Sequence, residues 1–391
     1  MDVFIKINRT QADQLKAAMI FWPIIAYTPF FFEGWVHPYL RIGCFSLLSL
    51  YLFFSYTRYS KDDAGILYLL ILLATLMVLG DSSGMQGLIK LGNYCLTIFF
   101  GWGLSRHLKL SRDRLPILLG LYVQFFYVIS IFSLLSLIYF LTLGELDLFG
   151  FKNEFAHLVT PFGVLFRRSV GDFAVYRSFF YFVEGAHLAL FYAVNIIVVA
   201  PLLKDKTVSF KRVNLLGGIL TMSMTFYVVL FVLYGSKKIT SISGAISMFV
   251  GTVFLIYLIQ IFDVASFSSA EDRGGRFALF FILMAEANVT QLLFGHGVSF
   301  FATLGFATPF NSGFTLSIYE TGFVGLAMQM IILFRLSPHF ILFVFFLLAS
   351  NVLDPIHQPL FWFFIIITSQ ALKNESVADT TIGSSKGPLL K

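Results

Sequence analysis

The strongest constraint on the fold is the series of long apolar blocks that follow one another along the chain. Hydrophobic residues make up 58% of the 391 residues and charged residues only 12%, whereas about a quarter of the residues in a soluble domain are charged. Many blocks are long enough to cross a ~30 Å hydrocarbon core as a helix. The alternating segments of ~10 residues that build a transmembrane barrel do not occur. The sequence therefore predicts an all-α polytopic membrane protein.

The apolar blocks predict roughly ten to twelve transmembrane helices in a single membrane domain over residues 1–372. The candidate spans are Ala17–Phe32, Tyr39–Tyr56, Gly65–Gly80, Leu91–Leu104, Leu115–Leu143, Ser178–Leu203, Asn214–Tyr234, Ser241–Phe262, Tyr319–Phe334, His339–Ser350 and Pro359–Leu372. A further span at Phe277–Phe294 is the less favoured alternative, because Glu286 and Asn288 would be costly inside the bilayer. The polar tail, residues 373–391, is predicted to be disordered.

Lysine and arginine in the connections predict the orientation of the helices. They cluster in the N-terminal arm, at Arg58–Lys61 and at Arg106–Arg114, and the intervening connections are poor in them. Cytoplasmic loops carry this excess, so the N-terminus is predicted to be cytoplasmic. The long connections 144–177 and 263–318 then form two large outer loops. The net charge of +6 thus reflects basic loops, and no nucleic-acid partner is expected.

One region needs an interrupted helix to satisfy the same charge rule. Lys204–Arg212 and Lys237-Lys238 should both be cytoplasmic, which a single crossing between them cannot achieve. A bent, re-entrant or doubled segment at Asn214–Tyr234, with its turn near Thr221–Thr225, places both clusters on the cytoplasmic side. Broken helices are tolerated at membrane depth where protein encloses them.

The polar residues that could carry chemistry concentrate in and beside the outer loops. They are Arg167, Arg168, Arg177, Glu184, Arg273, Arg276, His296, Asn311 and Glu320. Guanidinium groups suit a diphosphate because their planar forks match phosphate oxygens. The structural alternative is an ion pair between Arg177 and Glu184, with Arg167 and Arg168 at lipid head groups. In that alternative Gly-His296-Gly is an ordinary turn.

Metal and cofactor sites are not predicted. The histidines lack zinc-site spacing, and no phosphate-binding glycine fingerprint is found. Glu271-Asp272 is the one acidic pair in the outer loops, whereas Asp62-Asp63 falls in a predicted cytoplasmic turn. We therefore expect a metal-independent protein without a cofactor.

Three segments resemble the O-antigen polymerase family, within the larger group that includes O-antigen ligases. Arg177-Ser-Phe-Phe-Tyr-Phe-Val-Glu184-Gly-Ala-His187 is similar to the family's Arg…Phe-Phe-x-Glu-Pro segment. Phe-Gly-His296-Gly, Asn311 and Glu320-Thr-Gly-Phe-Val-Gly-Leu are similar to its FGxG…HNxxLxxxxExGxxGL signature. Thr221-Met-Ser-Met-Thr-Phe-Tyr resembles its Thr-x-Ser-x-Thr-Gly-Tyr turn, without the glycine.

Two positions depart from the family pattern. Phe310 stands where the family often has histidine, and Gly185 replaces the proline after the glutamate. The missing histidine weakens the ligase-like interpretation most, and it leaves the identity of a catalytic base open among Glu184, His296 and Glu320.

The resemblance implies a glycosyltransferase in the bacterial inner membrane that polymerises undecaprenyl-diphosphate-linked oligosaccharide units into O-antigen or a similar polysaccharide. It implies Glu184, His296 and Glu320 as catalytic groups and the outer-loop arginines with Asn311 as substrate-binding groups. The bilayer, the lipid-linked oligosaccharide and a chain-length regulator are the partners it implies. A lipid-linked glycan ligase and a non-enzymatic flippase or transporter are the alternatives; the absence of an internal repeat disfavours a transporter.

Overall fold

The structure is a computed structural model that describes residues 9–27, 38–54, 61–79, 85–143, 157–170, 173–178, 185–236, 278–297, 313–350 and 358–384. The helices are α1 (Arg9–Tyr27), α2 (Pro38–Phe54), α3 (Lys61–Leu79), α4 (Met85–Leu110), α5 (Leu115–Leu143), α6 (Gly185–Val194), α7 (Thr207–Leu220), α8 (Met224–Ser236), α9 (278–286), α10 (Val289–Phe294), α11 (Gly313–Leu336), α12 (Phe340–Ser350) and α13 (Pro359–Ser384). A π-helical turn at Asn195–Val199 and a 3-10 turn at Ala200–Lys206 join α6 to α7.

The described part of the chain is mostly helical, as the apolar blocks predict. Three helical runs are long and apolar enough to cross a membrane: Leu115–Leu143, Ala186–Leu203 and Gly313–Leu336. Shorter apolar helices include Thr225–Ser236 and Phe340–Ser350. The total of roughly ten to twelve crossings stays a prediction, and the candidate span Ser241–Phe262 lies outside the described residues.

The core of the bundle surrounds the first half of α13, which is apolar on every side. Phe361–Ile367 are all buried, as expected for a helix that neighbouring helices enclose completely. The helix packs against α4, α5 and α1. Gly101 of α4 makes this close packing possible, because a Cβ there would lie 2.9 Å from the Trp362 ring.

The interrupted helix predicted at Asn214–Tyr234 is present. The helix α7 ends at Leu220 and α8 begins at Met224, with Met222 between them at φ 45°. The Thr221 hydroxyl donates to the Gly218 carbonyl at 2.6 Å and so satisfies an acceptor at the helix end. Because α8 packs along α6 and reaches the π-helical turn, the chain turns back at this break.

A chain of buried hydrogen bonds holds α5, the π-helical turn and α7 together. Tyr122 donates its hydroxyl to Asn195 Oδ1 at 2.8 Å, and Asn195 Nδ2 donates to Asn214 Oδ1 at 2.9 Å. Asn214 Nδ2 in turn donates to the Phe210 carbonyl at 2.8 Å. Such a network stabilises a membrane bundle because polar groups in its interior find no water.

The start of α1 and the connection between α4 and α5 lie at the same end of the bundle. Arg114 Nε lies 3.6 Å from an Asp13 carboxylate oxygen, and Arg114 Nη1 donates to His107 Nε2 at 2.6 Å. The charge pattern predicts that these two basic segments share one side of the membrane, and this contact agrees with that pairing. The cytoplasmic assignment of that side stays a prediction.

The connection predicted to be the first outer loop contains strands, which corrects the prediction of an all-α chain. It contains an antiparallel sheet in the order β1 (His157–Thr160), β2 (Gly163–Val170) and β3 (Phe173–Ser178). The sheet packs on α5, where the Phe140 and Tyr176 ring centroids are 4.5 Å apart. Short runs of β-branched and aromatic residues around Gly171-Asp172 are a hairpin signal, but the flanking apolar blocks dominate the hydropathy pattern.

The polar tail also differs from the prediction, because α13 continues through Ser384. Composition alone predicts disorder after residue 372. A helix that is already formed needs no new nucleus to extend, so adding each further residue costs much less than starting a helix.

Candidate functional site

Two interrupted helices meet through their backbones in the region of the sequence signature. Gly322 breaks α11 with φ 67° and ψ −176°, and α10 ends at Phe294, where the next residue, Gly295, has φ 80°. The carbonyls of Tyr319 and Glu320, which a continuous helix directs at its own next turn, accept instead from another segment. The His296 N–H donates to the Tyr319 oxygen at 2.8 Å and the Gly297 N–H to the Glu320 oxygen at 3.0 Å. We call residues 295–297 and 319–322 together the glycine junction.

The glycines of this junction are required by contact as well as by backbone conformation. A Cβ on Gly295 would collide with the Glu320 carbonyl, and a Cβ on Gly322 would collide with the Leu293 carbonyl. Both positions have φ values that L-residues with side chains rarely adopt. At Gly325, a Cβ would collide with the Thr321 side chain. The glycine spacing of the two motifs therefore reflects one direct contact between them.

His296 is held in one orientation by the junction. Its ring stacks on the Tyr319 ring with centroids 4.1 Å apart and an angle of 6° between planes. Its Nδ1 lies 3.3 Å from the Tyr319 carbonyl oxygen, which can only accept a hydrogen bond. Nδ1 therefore carries the proton in this bond, and Nε2 is the basic nitrogen. Burial lowers the pKa of His296, although the hydrogen bond to Tyr319 raises it, so the neutral ring prevails near pH 7.

Glu320 lies at the same junction and is buried, with only 4% of its surface exposed. The sequence places it beside a span, where a lone glutamate is more often interfacial than catalytic. The structure instead buries Glu320 within α11, where the hydroxyl of the following residue, Thr321, donates to the Ser317 carbonyl at 2.7 Å. The junction thus brings a basic imidazole and a buried carboxyl group to adjoining backbone segments.

The sequence motifs do not identify three residues that lie in or beside the junction and hold its parts in place. Tyr319 supplies both the stacking ring and the carbonyl that orients His296. Asn288 and Gln291 form a capping box around the start of α10, each side-chain oxygen accepting the other's backbone N–H at 2.9 Å. The Asn-x-x-Gln spacing is a recognisable helix-start signal, whereas nothing in the sequence identifies the partner of His296.

The three arginines of the predicted first outer loop, Arg167, Arg168 and Arg177, lie on adjacent strands of the sheet. Arg167 pairs in register with Tyr176, Arg168 with Val175, and Phe166 with Arg177. Arg168 and Arg177 therefore occupy diagonal register positions on one face of the sheet, and Arg167 occupies the other face. The sheet brings together cations that the sequence separates by nine residues or more.

The remaining predicted site residues, Glu184, Arg273, Arg276 and Asn311, lie outside the described residues. The expected convergence of Arg273 and Arg276 with the sheet arginines stays a prediction. Within the described ranges, histidine, cysteine, aspartate and glutamate form no group of three that could hold a metal ion.

Acidification provides a test of the partly buried His296. Because its pKa in the folded protein is below the ordinary 6.5, the unfolded chain binds a proton more readily. The stabilisation is fully present above pH 6.5 and is lost as pH falls below that value. We expect the melting temperature of the parent protein to fall more between pH 7.5 and 5 than that of His296→Gln. Equal falls in the two proteins would show that His296 does not titrate differently on folding.

Comparison of the chain with protein families, curated proteins and solved structures finds no match in any of the three.

Proposed function

We propose that the chain is a membrane glycosyltransferase that joins undecaprenyl-diphosphate-linked oligosaccharide units into a surface polysaccharide. The proposal rests on the glycine junction, in which a neutral histidine and a buried glutamate are fixed by the two segments that resemble the polymerase signature. We place the reaction at the outer face of the bacterial inner membrane, with the N-terminus in the cytoplasm. A chain-length regulator is a proposed partner.

The chemistry requires a base and a site for an anionic leaving group. The bond between the sugar anomeric carbon and the diphosphate oxygen breaks, and the acceptor hydroxyl oxygen forms the new bond to that carbon. The hydroxyl proton passes to a base, for which His296 Nε2 has the required protonation state. Glu320 would orient the acceptor or hold the proton in turn. The departing undecaprenyl diphosphate carries negative charge, which Arg168 and Arg177 would stabilise from one face of the sheet, whereas Arg167 occupies the other face.

Surface polysaccharide from a deletion strain distinguishes this function from the two alternatives. A polymerase is needed only for chain growth, so its loss leaves single repeat units attached to the lipid anchor. Loss of a ligase or a flippase leaves none attached. We expect single units, and restoration of the full ladder by the parent gene. A strain without any attached unit would contradict the polymerase assignment and favour a ligase or flippase.

The sheet arginines provide a separate test of diphosphate binding. In membrane vesicles supplied with lipid-linked oligosaccharide, we expect Arg168→Lys to lower the polymerisation rate at least about tenfold, because lysine keeps the charge but loses the bidentate fork. Lys109→Arg, at an exposed position of α4, is the control and should leave the rate unchanged. Normal rates in Arg167→Lys, Arg168→Lys and Arg177→Lys would exclude the sheet from the site.

A further inference from the structure

We propose that the outward side of α9 and α10 inserts into the interfacial layer of the bilayer. Five large apolar side chains define this surface, which we call the α9–α10 face: Phe281, Ile282, Val289, Leu293 and Phe294. Their exposed fractions run from 41% to 71%. Contiguous exposed apolar side chains of this size mark a surface that binds protein or lipid.

The opposite side of α9 is also apolar, so the helix has no face suited to water. Phe280 packs with Ile318 and Tyr319 of α11, and Leu283 and Met284 cover the same cluster. A helix that is apolar on all sides belongs in a protein core or in lipid. One side of α9 is already packed on α11. The other side is exposed, and lipid is the environment that suits its apolar side chains.

The contact with α11 also places α9 and α10 at the level where that helix enters the membrane. Tyr319 lies six residues after Gly313 in a helical run long and apolar enough to span, so it is about 9 Å from the start of that run. Gly322 interrupts this run, and the part after the break, residues 323–336, supplies about 21 Å of helix toward the ~30 Å hydrocarbon core. The α9–α10 face therefore lies near one bilayer surface.

Length and polar residues indicate that α9 and α10 lie along the surface and do not cross it. The break at 287–288 limits α9 to residues 278–286 and α10 to Val289–Phe294, and each is far shorter than the ~20 residues of a span. Glu286, Asn288 and Thr290 are exposed around this break. Polar residues beside a row of large apolar ones are typical of helices in the interfacial plane.

Insertion of this face would hold the glycine junction at the bilayer surface. The backbones of Leu293 and Phe294, whose side chains belong to the face, pack directly on Gly322. This inference concerns the position of the segment in lipid and does not depend on the proposed reaction.

Spin labels on single cysteines test the insertion directly. Cys44 and Cys95 are first replaced by serine, and Phe281→Cys and Leu293→Cys are then labelled in vesicles of phosphatidylethanolamine and phosphatidylglycerol. Glu286→Cys, at the polar break, is the matched control. We expect labels at 281 and 293 to collide readily with dissolved oxygen and poorly with a water-soluble nickel chelate. The label at 286 should show the reverse.

Each other result overturns the proposal. Ready collision of the 281 and 293 labels with the nickel chelate would place the face in water. Protection from both oxygen and nickel would mean that protein covers it, either another segment of this chain or a second copy. A label on Val289→Cys, at the start of α10, measures the accessibility of the same surface, so the result does not depend on one variant. Because the readout is accessibility and not polymer, its failure is distinguishable from failure of the proposed reaction.

Discussion

Gly322→Ala is expected to lower the melting temperature of the purified protein by roughly 2–7 °C and to abolish polymer formation. Two effects add at this position. A residue with a side chain at φ 67° and ψ −176° is strained by about 1–3 kcal/mol. Its Cβ would also collide with the Leu293 carbonyl, and backbone cannot move aside as a flexible side chain can. The collision adds about 1–3 kcal/mol of overpacking. At about 1.2 °C per kcal/mol for a chain of this length, the two effects together lower the melting temperature by roughly 2–7 °C.

Gly120→Ala is the matched control for this prediction. Gly120 lies within α5, and a Cβ there would meet nothing within 4 Å. Alanine favours the helix by about 1 kcal/mol relative to glycine, so the control should melt at the same temperature or slightly higher. A Gly322→Ala protein that is as stable as the control would show that the two segments do not pack as described.

His296→Gln and Glu320→Gln are expected to lower polymerisation at least about 100-fold while the protein stays folded in the membrane. A positioned base contributes about 10²–10⁴-fold to a reaction of this kind, and glutamine cannot take up a proton in either position. Glutamine is close in size to both residues, so packing changes little. Polymer length on gels and the rate of repeat-unit consumption in vesicles measure the effect, alongside protein abundance in the membrane.

His339→Gln controls for the structural cost of losing a partly buried histidine. His339 Nε2 lies 3.1 Å from the Ser369 carbonyl oxygen, so its replacement removes a similar bond worth about 1 kcal/mol. Activity should remain near that of the parent protein. Similar activity losses in His296→Gln and His339→Gln, in proportion to protein abundance, would assign His296 a structural role. Normal polymerisation in both His296→Gln and Glu320→Gln would remove the junction from the active site.

Local patterns in the sequence predict much of the helical part of the fold. The apolar run Leu115–Leu143 coincides with α5, because a long row of apolar residues is stable only in a helix within lipid or protein. The break near Thr221–Thr225 is also predictable, since the distribution of lysine and arginine predicts that two basic clusters lie on the same side of the membrane. The sheet at His157–Ser178 is missed because short strands carry a weaker signal than neighbouring spans.

By itself, the sequence determines the membrane-helical character of this protein, the position of its helix break and the two glycine motifs around His296 and Glu320. The tertiary structure decides that these motifs are in direct contact, since Gly295 and Gly322 are far apart in the chain and meet only through packing of α10 on α11. The physical reason is the range of the interactions. Burial patterns and helix breaks are set by residues a few positions apart, whereas contact between two backbones depends on how whole helices pack.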